Sequence, residues 1–426
     1  MRIPSLVTAA TACAVAASAF VVAAAMPASA APTTCTASDA AIYAAPPAST
    51  PGGPGTLISC RSVTLPEVPG NIALSAWKVQ LVSTDTTGQR VPSTGLVVVP
   101  KAAWRGPGSR PVVAFSPGTL GLGPQCAFSK QLAGAYQDEY EGDNIAALLK
   151  AGFAVAASDG QGHVGGDVHP YVAGLAAGHA VLDTARTAFQ VPGAGLSPTT
   201  KVALWGYSEG GQASLWAAQL AASYAPELKV VGAAAGGVPG DLKLVAQQLD
   251  GSPFAGFLAD AAVGLTTAYP ALPFTKLLNQ NGRNAVAKAK SLCLYGTLAN
   301  FAGAKISSYT TAGYTLPQLY QLAGSNGVTW GQVLDSLKLG VGIGRAGSGA
   351  KYQLNFPTFQ YRGVAEEIIA TSAEDQTRAR YCQAGITTQW NQLYPGDHLL
   401  TDGQAVNDVV SWFRDRFIGL PTFGNC

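Results

Sequence analysis

Residues 201–212 read Lys-Val-Ala-Leu-Trp-Gly-Tyr-Ser-Glu-Gly-Gly-Gln. The first five form an apolar run typical of a buried strand, and a helical pattern begins at Glu209. Between them lies a G-x-S-x-G sequence centred on Ser208, in the strand–turn–helix setting that a nucleophile elbow requires. The turn is so sharp that the residues two before and two after the serine must be small, which Gly206 and Gly210 satisfy. An ordinary Gly-Ser turn is the alternative, and the setting favours the elbow.

Short apolar runs alternate with helical patterns on both sides of this turn. Strand-like runs cover 111–115, 153–157, 201–205 and 229–235, and helical patterns cover 144–151, 177–189 and 209–224. Strands buried on both faces read as continuous apolar runs, so the alternation predicts an α/β fold with a mostly parallel central sheet and helices on both faces. The patterns also predict a hairpin over 75–100, strands over 358–362 and 388–394, and a final helix over 404–417.

The alternation stops near Gly240. Residues 241–350 contain several helical patterns and no clear strand, and they end in a glycine-rich stretch over 340–349 that suits a flexible connection. We therefore predict a helical lid or cap inserted into the core. The predicted division of the chain is a signal peptide (1–30), a loose N-terminal arm (31–70), the first part of the core (71–240), the insertion (241–350) and the second part of the core (351–426).

The first thirty residues are typical of a secretory signal peptide. Arg2 supplies a short positive region, residues 6–25 are apolar, and Ala28-Ser29-Ala30 is a small-residue cleavage site. We expect cleavage near Ala30 and secretion of the mature chain. An uncleaved membrane anchor is the alternative, but the cleavage site and the Pro-rich sequence after it favour removal. No later run of eighteen apolar residues occurs, so we expect no stable membrane span in the mature chain.

Cysteine usage agrees with export. Cys13 would leave with the signal peptide, and the others are Cys35, Cys60, Cys126, Cys293, Cys382 and Cys426. An even number of cysteines in an exported chain predicts three disulfides, although spacing alone does not fix how they pair. The sequence contains no Cys-x-x-Cys pair, which disfavours both a zinc knuckle and a thioredoxin-type redox site.

Composition excludes several classes of protein. Hydrophobic residues make up 48% of the 426 residues and charged residues 12%, which is incompatible with intrinsic disorder. The formal net charge is +2 and no basic stripe is present, so we expect no nucleic-acid partner. No ligand cluster with metal-site spacing occurs, and we predict neither a metal nor an organic cofactor. The sequence leaves the oligomeric state open.

A nucleophilic serine also needs donors for the oxyanion that forms when it attacks a carbonyl. The amide of Glu209 is the first expected donor, because it follows the nucleophile at a helix N-terminus. The second should come from the loop after an earlier strand, here Ser116-Pro-Gly-Thr-Leu-Gly121, in which the amide of Thr119 or Leu120 is the candidate. A plain Pro-Gly turn is the alternative for this loop.

The chain has four histidines, and only His398 follows Ser208. An elbow serine precedes both its acid and its base in the chain, so His398 is the predicted base. It lies just after the last strand pattern, where a loop can bring it over the serine. We expect the other three, His163, His169 and His179, to be structural or rim groups.

The acid is expected in the loop after the strand at 358–362. This loop reads Gly363-Val-Ala-Glu-Glu-Ile-Ile369. Glu366 falls where the strand ends and is the first candidate, and Glu367 and Asp375 remain alternatives. A carboxylate here would hold the imidazole in the required tautomer and stabilise its charged form.

Several stretches together resemble the secretory lipase family, the lipase-A-like α/β-hydrolases. The resemblance covers about residues 70–420. It implies an α/β-hydrolase fold, a Ser-Asp-His triad, a helical lid before the strand that carries the acid, and hydrolysis of acylglycerols and other carboxylic esters. The stretches are Gly206-Tyr-Ser-Glu-Gly-Gly-Gln212, His169-Pro-Tyr171 followed by Val181-Leu-Asp183, Ser116-Pro-Gly-Thr119 with Gln125-Cys-Ala127, and Tyr394-Pro-Gly-Asp-His-Leu399.

Matched residue by residue, the resemblance implies Ser208 as nucleophile and His398 as base. Members of the family commonly have Gly-x-x-Asp at the acid site, where this chain has Gly363-Val-Ala-Glu366. The resemblance also implies how the cysteines pair: Cys126 with Cys293, and Cys382 with Cys426, which leaves Cys35 for Cys60.

These observations predict a secreted serine hydrolase that cleaves carboxylic esters of lipids, with a lipid or ester substrate met at a lipid–water interface. Ser208, Glu366 and His398 would act through an acyl-enzyme. An acyltransferase, or an esterase for short or polymeric esters, would use the same triad and is the close alternative. A non-catalytic cell-surface binding protein on the same fold is a more distant one, and the presence of both Ser208 and His398 argues against it.

Overall fold

A computed structural model describes Met1 and residues 32–426. The predicted signal peptide and its cleavage site at Ala30 lie outside the described residues, apart from Met1. In the described part of the chain, no helix is both long enough and apolar enough to cross a membrane.

Nine strands form one sheet in the order β1-β2-β3-β5-β4-β6-β7-β10-β11. The pairs from β1 to β3, and β3 with β5, are antiparallel, whereas all pairs from β5 to β11 are parallel. A separate two-stranded ribbon pairs β8 with β9. The strands are β1 (Leu57–Val63), β2 (Leu74–Thr84), β3 (Arg90–Pro100), β4 (Val112–Ser116), β5 (Ala154–Gln161), β6 (Lys201–Tyr207), β7 (Lys229–Gly236), β8 (Ile343–Arg345), β9 (Tyr352–Leu354), β10 (Thr358–Gly363) and β11 (Thr388–Tyr394).

The helices alternate with the parallel strands and continue through the insertion. They are α1 (Asp39–Tyr43), α2 (Phe128–Gln131), α3 (Gly142–Lys150), α4 (Gly174–Ala188), α5 (Glu209–Tyr224), α6 (Leu242–Leu249), α7 (Ala255–Ala268), α8 (Gln280–Ala289), α9 (Leu294–Phe301), α10 (Leu316–Leu319), α11 (Trp330–Ser336), α12 (Thr371–Gln383) and α13 (His398–Ile418).

Strand β6 shows why helices cover both faces of the sheet. Val202 and Leu204 pack in an apolar cluster with residues of α4 and α5, whereas Ala203 and Trp205 pack in a second cluster with residues of α3 and α13. Successive side chains of a strand point to opposite faces, so an uninterrupted apolar run needs an apolar layer on each side. The predicted fold, a mostly parallel sheet with helices on both faces, is confirmed.

The prediction of a loose N-terminal arm over 31–70 is wrong for part of that range. Strand β1 pairs antiparallel with β2 at the edge of the main sheet. Residues Leu57 and Cys60 are buried there, although the strand's alternation is irregular. An edge strand needs only one apolar face, and β1 is too short and uneven for its sequence to show that face.

The insertion between β7 and β10 contains helices α6–α11. The prediction that 241–350 contains no strand is wrong at β8, which lies within the glycine-rich stretch expected to be a flexible connection. β8 pairs parallel with β9, and Tyr352 of β9 packs edge-to-face on Trp216 of α5 with ring centroids 5.7 Å apart. A three-residue strand between glycines gives no periodic signal, because tertiary packing determines its pairing.

Three disulfides join the cysteines of the described chain. Cys35 bonds to Cys60, Cys126 to Cys293, and Cys382 to Cys426. This is the pairing that the family resemblance implies. The second bond joins the segment after β4 to the start of α9, and so connects the core to the insertion.

Candidate active site

Ser208 occupies a sharp turn between β6 and α5. Its backbone has φ 55° and ψ −121°, a combination that costs an ordinary residue conformational energy and is found mainly at functional sites. The neighbouring backbone packs closely against this turn. A Cβ atom on Gly206 would lie 2.2 Å from the carbonyl oxygen of Gly210, and one on Gly210 would lie 2.0 Å from that of Ser116. Both positions therefore require glycine.

His398 is the first residue of α13, and the Asp397 side chain caps this helix by accepting a hydrogen bond from the amide of Leu400. The imidazole lies beside the ring of Tyr207, which precedes the nucleophile, with centroids 5.0 Å apart. In the described chain, no hydrogen bond joins the Ser208 hydroxyl to His398. Catalytic contacts of this kind often tighten only when substrate binds.

The imidazole of His398 is held by Glu366. Both carboxylate oxygens of Glu366 lie 2.8 Å from Nδ1 of His398, and the two side chains are 0% and 3% exposed. A carboxylate accepts but does not donate, so Nδ1 carries the proton and Nε2 is left with a lone pair. This is the tautomer that a general base requires.

Glu366 is stabilised in its charged form despite its burial. Burial alone would raise the pKa of this carboxyl, but the charge of His398 and its hydrogen bond, together with the amides of Ile368 and Ile369, lower the pKa below its usual value. The two amides donate to Oε1 at 3.0 and 2.8 Å. The loop after β10 thus supplies the acid and two donors that keep it ionised.

The other carboxylates named from the sequence have different partners. Glu367 accepts a hydrogen bond from the backbone amide of His398 at 2.9 Å, and it does not reach the imidazole. Asp375 forms an ion pair with Arg362 at 3.0 Å and its side chain is half exposed. Of the candidates, Glu366 is the carboxylate in contact with the ring.

The loop after β4 lies against the elbow. The carbonyl oxygens of Ser116 and Pro117 are the close neighbours of Gly210. The Gly118 amide donates to the buried Glu141 carboxylate at 2.7 Å and is therefore not free. In the part of the chain that the structure describes, the amides of Thr119, Leu120 and Glu209 donate to no protein acceptor. These amides are the predicted oxyanion donors.

The remaining histidines lie outside this constellation. His179 stacks on Tyr224 and makes a hydrogen bond to the carbonyl oxygen of Thr84, a structural arrangement. His163 and His169 stack on each other beside α5, and Nε2 of His169 lies 2.7 Å from Oε1 of Glu209. The sequence did not reveal this His169–Glu209 pair, because the two residues meet only through the folding of the loop between β5 and α4.

An apolar cavity extends from Ser208 beneath the inserted helices. Its wall is almost entirely hydrocarbon and includes residues from α6, α7, α10 and α11. Residues that line the cavity include Leu242, Leu249, Leu258, Leu265, Leu319 and Trp330.

Among the described residues, no group of three His, Cys, Asp or Glu side chains is placed to hold a metal ion.

Comparison with known proteins decides the family. The family model described as "Secretory lipase" matches residues 128–425. The chain belongs to the secretory lipase family. The matched region includes Ser208, Glu366 and His398, and relatives in the family are named triacylglycerol lipases and an esterase, which are carboxylic ester hydrolases.

Individual relatives of this secretory lipase agree with the assignment. The chain is 28% identical over 384 residues to the secreted triacylglycerol lipase LIP4 of Malassezia globosa. The aligned region covers 87% of this chain and 79% of that protein. It is 30% identical to lipase 10 of Candida albicans over 66% of the chain, but this spans only 59% of the relative's length. Lipase A of Candida antarctica in its closed state shares the fold, with a TM-score of 0.74, 23% identity and coverage of 92% of this chain and 89% of that one.

Proposed function

We propose that this secretory lipase is an extracellular carboxylic ester hydrolase that acts on acylglycerols and related lipid esters. The observation that carries the proposal is the Glu366 carboxylate bound to Nδ1 of His398, beside a serine held in a strained elbow. Ser208 would be the nucleophile, His398 the general base and Glu366 the residue that orients and stabilises the imidazolium.

The chemistry follows from the positions of these groups. The Ser208 hydroxyl attacks the ester carbonyl while Nε2 of His398 takes its proton. The charge that develops on the carbonyl oxygen would be stabilised by the amides of Glu209 and of Thr119 or Leu120. His398 then gives its proton to the leaving alcohol, which leaves an acyl-enzyme on Ser208 that an activated water hydrolyses.

The apolar cavity supports a long acyl chain as the recognised group. A fatty acyl chain offers only hydrocarbon surface, and each buried methylene contributes about 0.8 kcal/mol to binding. The cavity has hydrocarbon walls, and the proposed nucleophile Ser208 is one of its lining residues. We assign residues 241–350 as the lid that forms most of this wall and that meets the lipid surface.

Relatives favour the same reaction class and also define the alternatives. One relative is named trichothecene C-3 esterase, from Fusarium sporotrichioides, at 27% identity. Another, from Mycobacterium tuberculosis, is named a probable inactive lipase, at 28% identity. Family membership alone therefore does not establish turnover, and the Glu366–His398 pair beside the strained Ser208 is the argument for an active enzyme. The apolar wall of the cavity favours lipid esters over a short or polymeric ester.

The proposal includes export. The relatives named secreted lipases support an extracellular location, and the signal peptide read from residues 1–30 supplies the route. N-terminal sequencing of the protein collected from the culture medium should begin at Ala31, after cleavage at Ala30.

The test is a hydrolysis profile of the purified mature enzyme across p-nitrophenyl esters and triacylglycerols of increasing chain length, with fluorophosphonate labelling of the serine. Ser208→Ala should lose turnover by about 10⁴-fold or more and all labelling. Ser214→Ala is a matched control, because Ser214 lies buried on the same helix, α5, away from the proposed site. A Ser208→Ala enzyme with a near-normal rate would refute the proposal.

A further inference from the structure

The segment His169-Pro170-Tyr171 contacts both sides of the proposed oxyanion hole. Nε2 of His169 lies 2.7 Å from Oε1 of Glu209, whose amide is one expected donor. The Tyr171 hydroxyl lies 2.8 Å from Oγ1 of Thr119, whose amide is a candidate for the other. Two residues of the loop between β5 and α4, His169 and Tyr171, therefore hold the side chains of two residues whose backbone would bind the oxyanion.

The contacts of His169 define its protonation state. Nδ1 lies 2.7 Å from the carbonyl oxygen of Gln161, and Nε2 lies 2.7 Å from the Glu209 carboxylate. A carbonyl and an ionised carboxylate both accept, so with Glu209 charged both ring nitrogens donate and the ring is an imidazolium. Burial favours the neutral ring, but the Glu209 charge and the hydrogen bonds to Glu209 and Gln161 raise the pKa of His169 above its usual value.

The ring of His169 is closely packed on two sides. A Cβ atom on Gly160 would lie 2.6 Å from Cε1 of His169, so the ring packs directly on that backbone. His163 stacks on it with centroids 5.2 Å apart and an angle of 18° between the planes. The groups that face His169 are Glu209 from α5, Asp159 from β5, and His163 and Tyr171 from its own loop.

Neither His163 nor Asp159 replaces Glu209 as the direct partner of the charged His169 ring. Burial, together with the adjacent His169, lowers the pKa of His163 well below its usual value, so that ring is neutral. Asp159 is already bonded to the Ser129 amide and hydroxyl and to the Thr94 hydroxyl. Glu209 is therefore the direct anionic partner of the imidazolium.

We propose that His169 is a positioning residue for the oxyanion hole, holding Glu209 and thereby the amide that follows the nucleophile, with Tyr171 supporting Thr119 on the opposite side. The inference rests on the proposed function, because an oxyanion hole has meaning only for an acyl-transfer enzyme. Loss of one oxyanion donor costs about 10²–10³ in kcat in serine hydrolases. A displaced donor should therefore act on kcat rather than on substrate binding.

The test distinguishes an effect on stabilisation of the transition state from an effect on substrate binding in the ground state. His169→Gln should lower kcat by about 10²-fold with little change in KM. It should also weaken inhibition by a trifluoromethyl ketone, whose adduct with the serine places an oxyanion in the hole, by a similar factor. Tyr171→Phe should lose about tenfold in both measurements. His179→Gln is the matched control, since His179 stacks on Tyr224 away from the site.

The conservative variant Glu209→Gln provides a further measurement, the pH dependence of kcat. This dependence would not change if His169 had only a structural role. In the wild type, kcat should fall on the alkaline side, because the imidazolium exists below the raised pKa of His169 and is lost above it. In Glu209→Gln the amide can donate to Nε2 of a neutral ring while Nδ1 still donates to Gln161. The variant should lose less activity than His169→Gln, and its alkaline limb should be absent.

The outcomes are distinguishable. Unchanged trifluoromethyl ketone affinity and kcat in His169→Gln would overturn the positioning role, as would an unshifted alkaline limb in Glu209→Gln. If His169→Gln does not fold, the Glu209→Gln profile and the Tyr171→Phe inhibition constant decide instead. Failure of the proposed function would appear earlier, as a wild-type enzyme without ester turnover or fluorophosphonate labelling.

Discussion

Glu366 and His398 meet through both oxygens of the carboxylate, each 2.8 Å from Nδ1 of the ring. The adjacent Glu367 binds the same histidine through its backbone amide instead. Two neighbouring carboxylates thus contact one residue at different atoms, and substitutions can separate orientation of the ring from support of its backbone.

Glu366→Gln should reduce kcat by about 10³–10⁴-fold, whereas Glu367→Gln should cost about tenfold or less. Glutamine keeps the size of the side chain but removes the charge that stabilises the imidazolium. It can also offer its amide to Nδ1 and so favour the wrong tautomer. Steady-state kinetics on one ester for both variants provides the measurement.

Glu366→Asp is the companion variant, because it restores the residue common in the family. It should retain more activity than Glu366→Gln. Near-full kcat in Glu366→Gln together with a large loss in Asp375→Asn would show that the acid has been misassigned.

Ala261→Trp should shift the chain-length preference toward short esters. Ala261 lies on α7 and lines the apolar cavity, so an indole there would occupy space that an acyl chain needs. We expect kcat/KM for long-chain esters to fall about tenfold or more and that for short-chain esters to change about twofold or less. Ala299→Trp, at an exposed position on α9, should leave the profile unchanged, and an equal loss at all chain lengths in Ala261→Trp would argue against an acyl site here.

Asp260 of α7 is fully buried, and in the described chain the Thr297 hydroxyl is the side-chain hydroxyl beside its carboxyl. It lies one turn from Gly256, which packs on Thr297, and one turn from Gly264, which packs on the backbone of Tyr171. Burial raises the pKa of Asp260 well above its usual value; the Thr297 hydroxyl offsets part of this effect, and the charge of Glu209 adds to it. Folding therefore favours the protonated form of this carboxyl.

Asp260→Asn should stabilise the enzyme at neutral and alkaline pH. An acid whose pKa is raised by folding contributes stability below its unfolded pKa, about 3.9 for aspartate, and that contribution is lost as the pH rises toward the folded pKa. Asparagine cannot ionise, so Tm at pH 8 should rise by about 2–5 °C and should change little at pH 4. Asp167→Asn, in an exposed loop, is the control. A lower Tm for Asp260→Asn at pH 8 would contradict this assignment.

The mature protein should contain no free thiol. Ellman titration of the denatured, unreduced chain should give none, and six should appear after reduction, because three disulfides are present. A seventh thiol after reduction would be Cys13 and would show that the leader had been retained. Six titratable thiols without reductant would contradict the disulfides.

The local sequence predicted the strands and helices of the core well, because each of these elements has a recognisable pattern of apolar residues or glycines. The run over 201–205 and the glycines around Ser208 reflect burial on two faces and a backbone that leaves no room for a Cβ atom. The position of Glu366 at a strand end predicts it as the acid, and in the structure its carboxylate contacts His398. Strand β1 and the β8–β9 ribbon were missed because each depends on a partner distant in the chain or on packing against the core. The pairing of His169 with Glu209, forty residues away, depends on a loop conformation that no periodicity encodes.

The Cys126–Cys293 bond joins residues 167 apart and closes a covalent ring. Ser208 belongs to this ring, whereas Glu366 and His398 lie beyond it. A protease that nicks one peptide bond between the two cysteines leaves a molecule whose pieces remain linked. A nick between Cys293 and Glu366 instead divides the proposed triad between two fragments held together only by the sheet and its helices. For an enzyme working outside the cell, a single cut between the two cysteines would thus leave its fragments covalently linked. A single cut between Cys293 and Glu366 would let the fragments separate on denaturation.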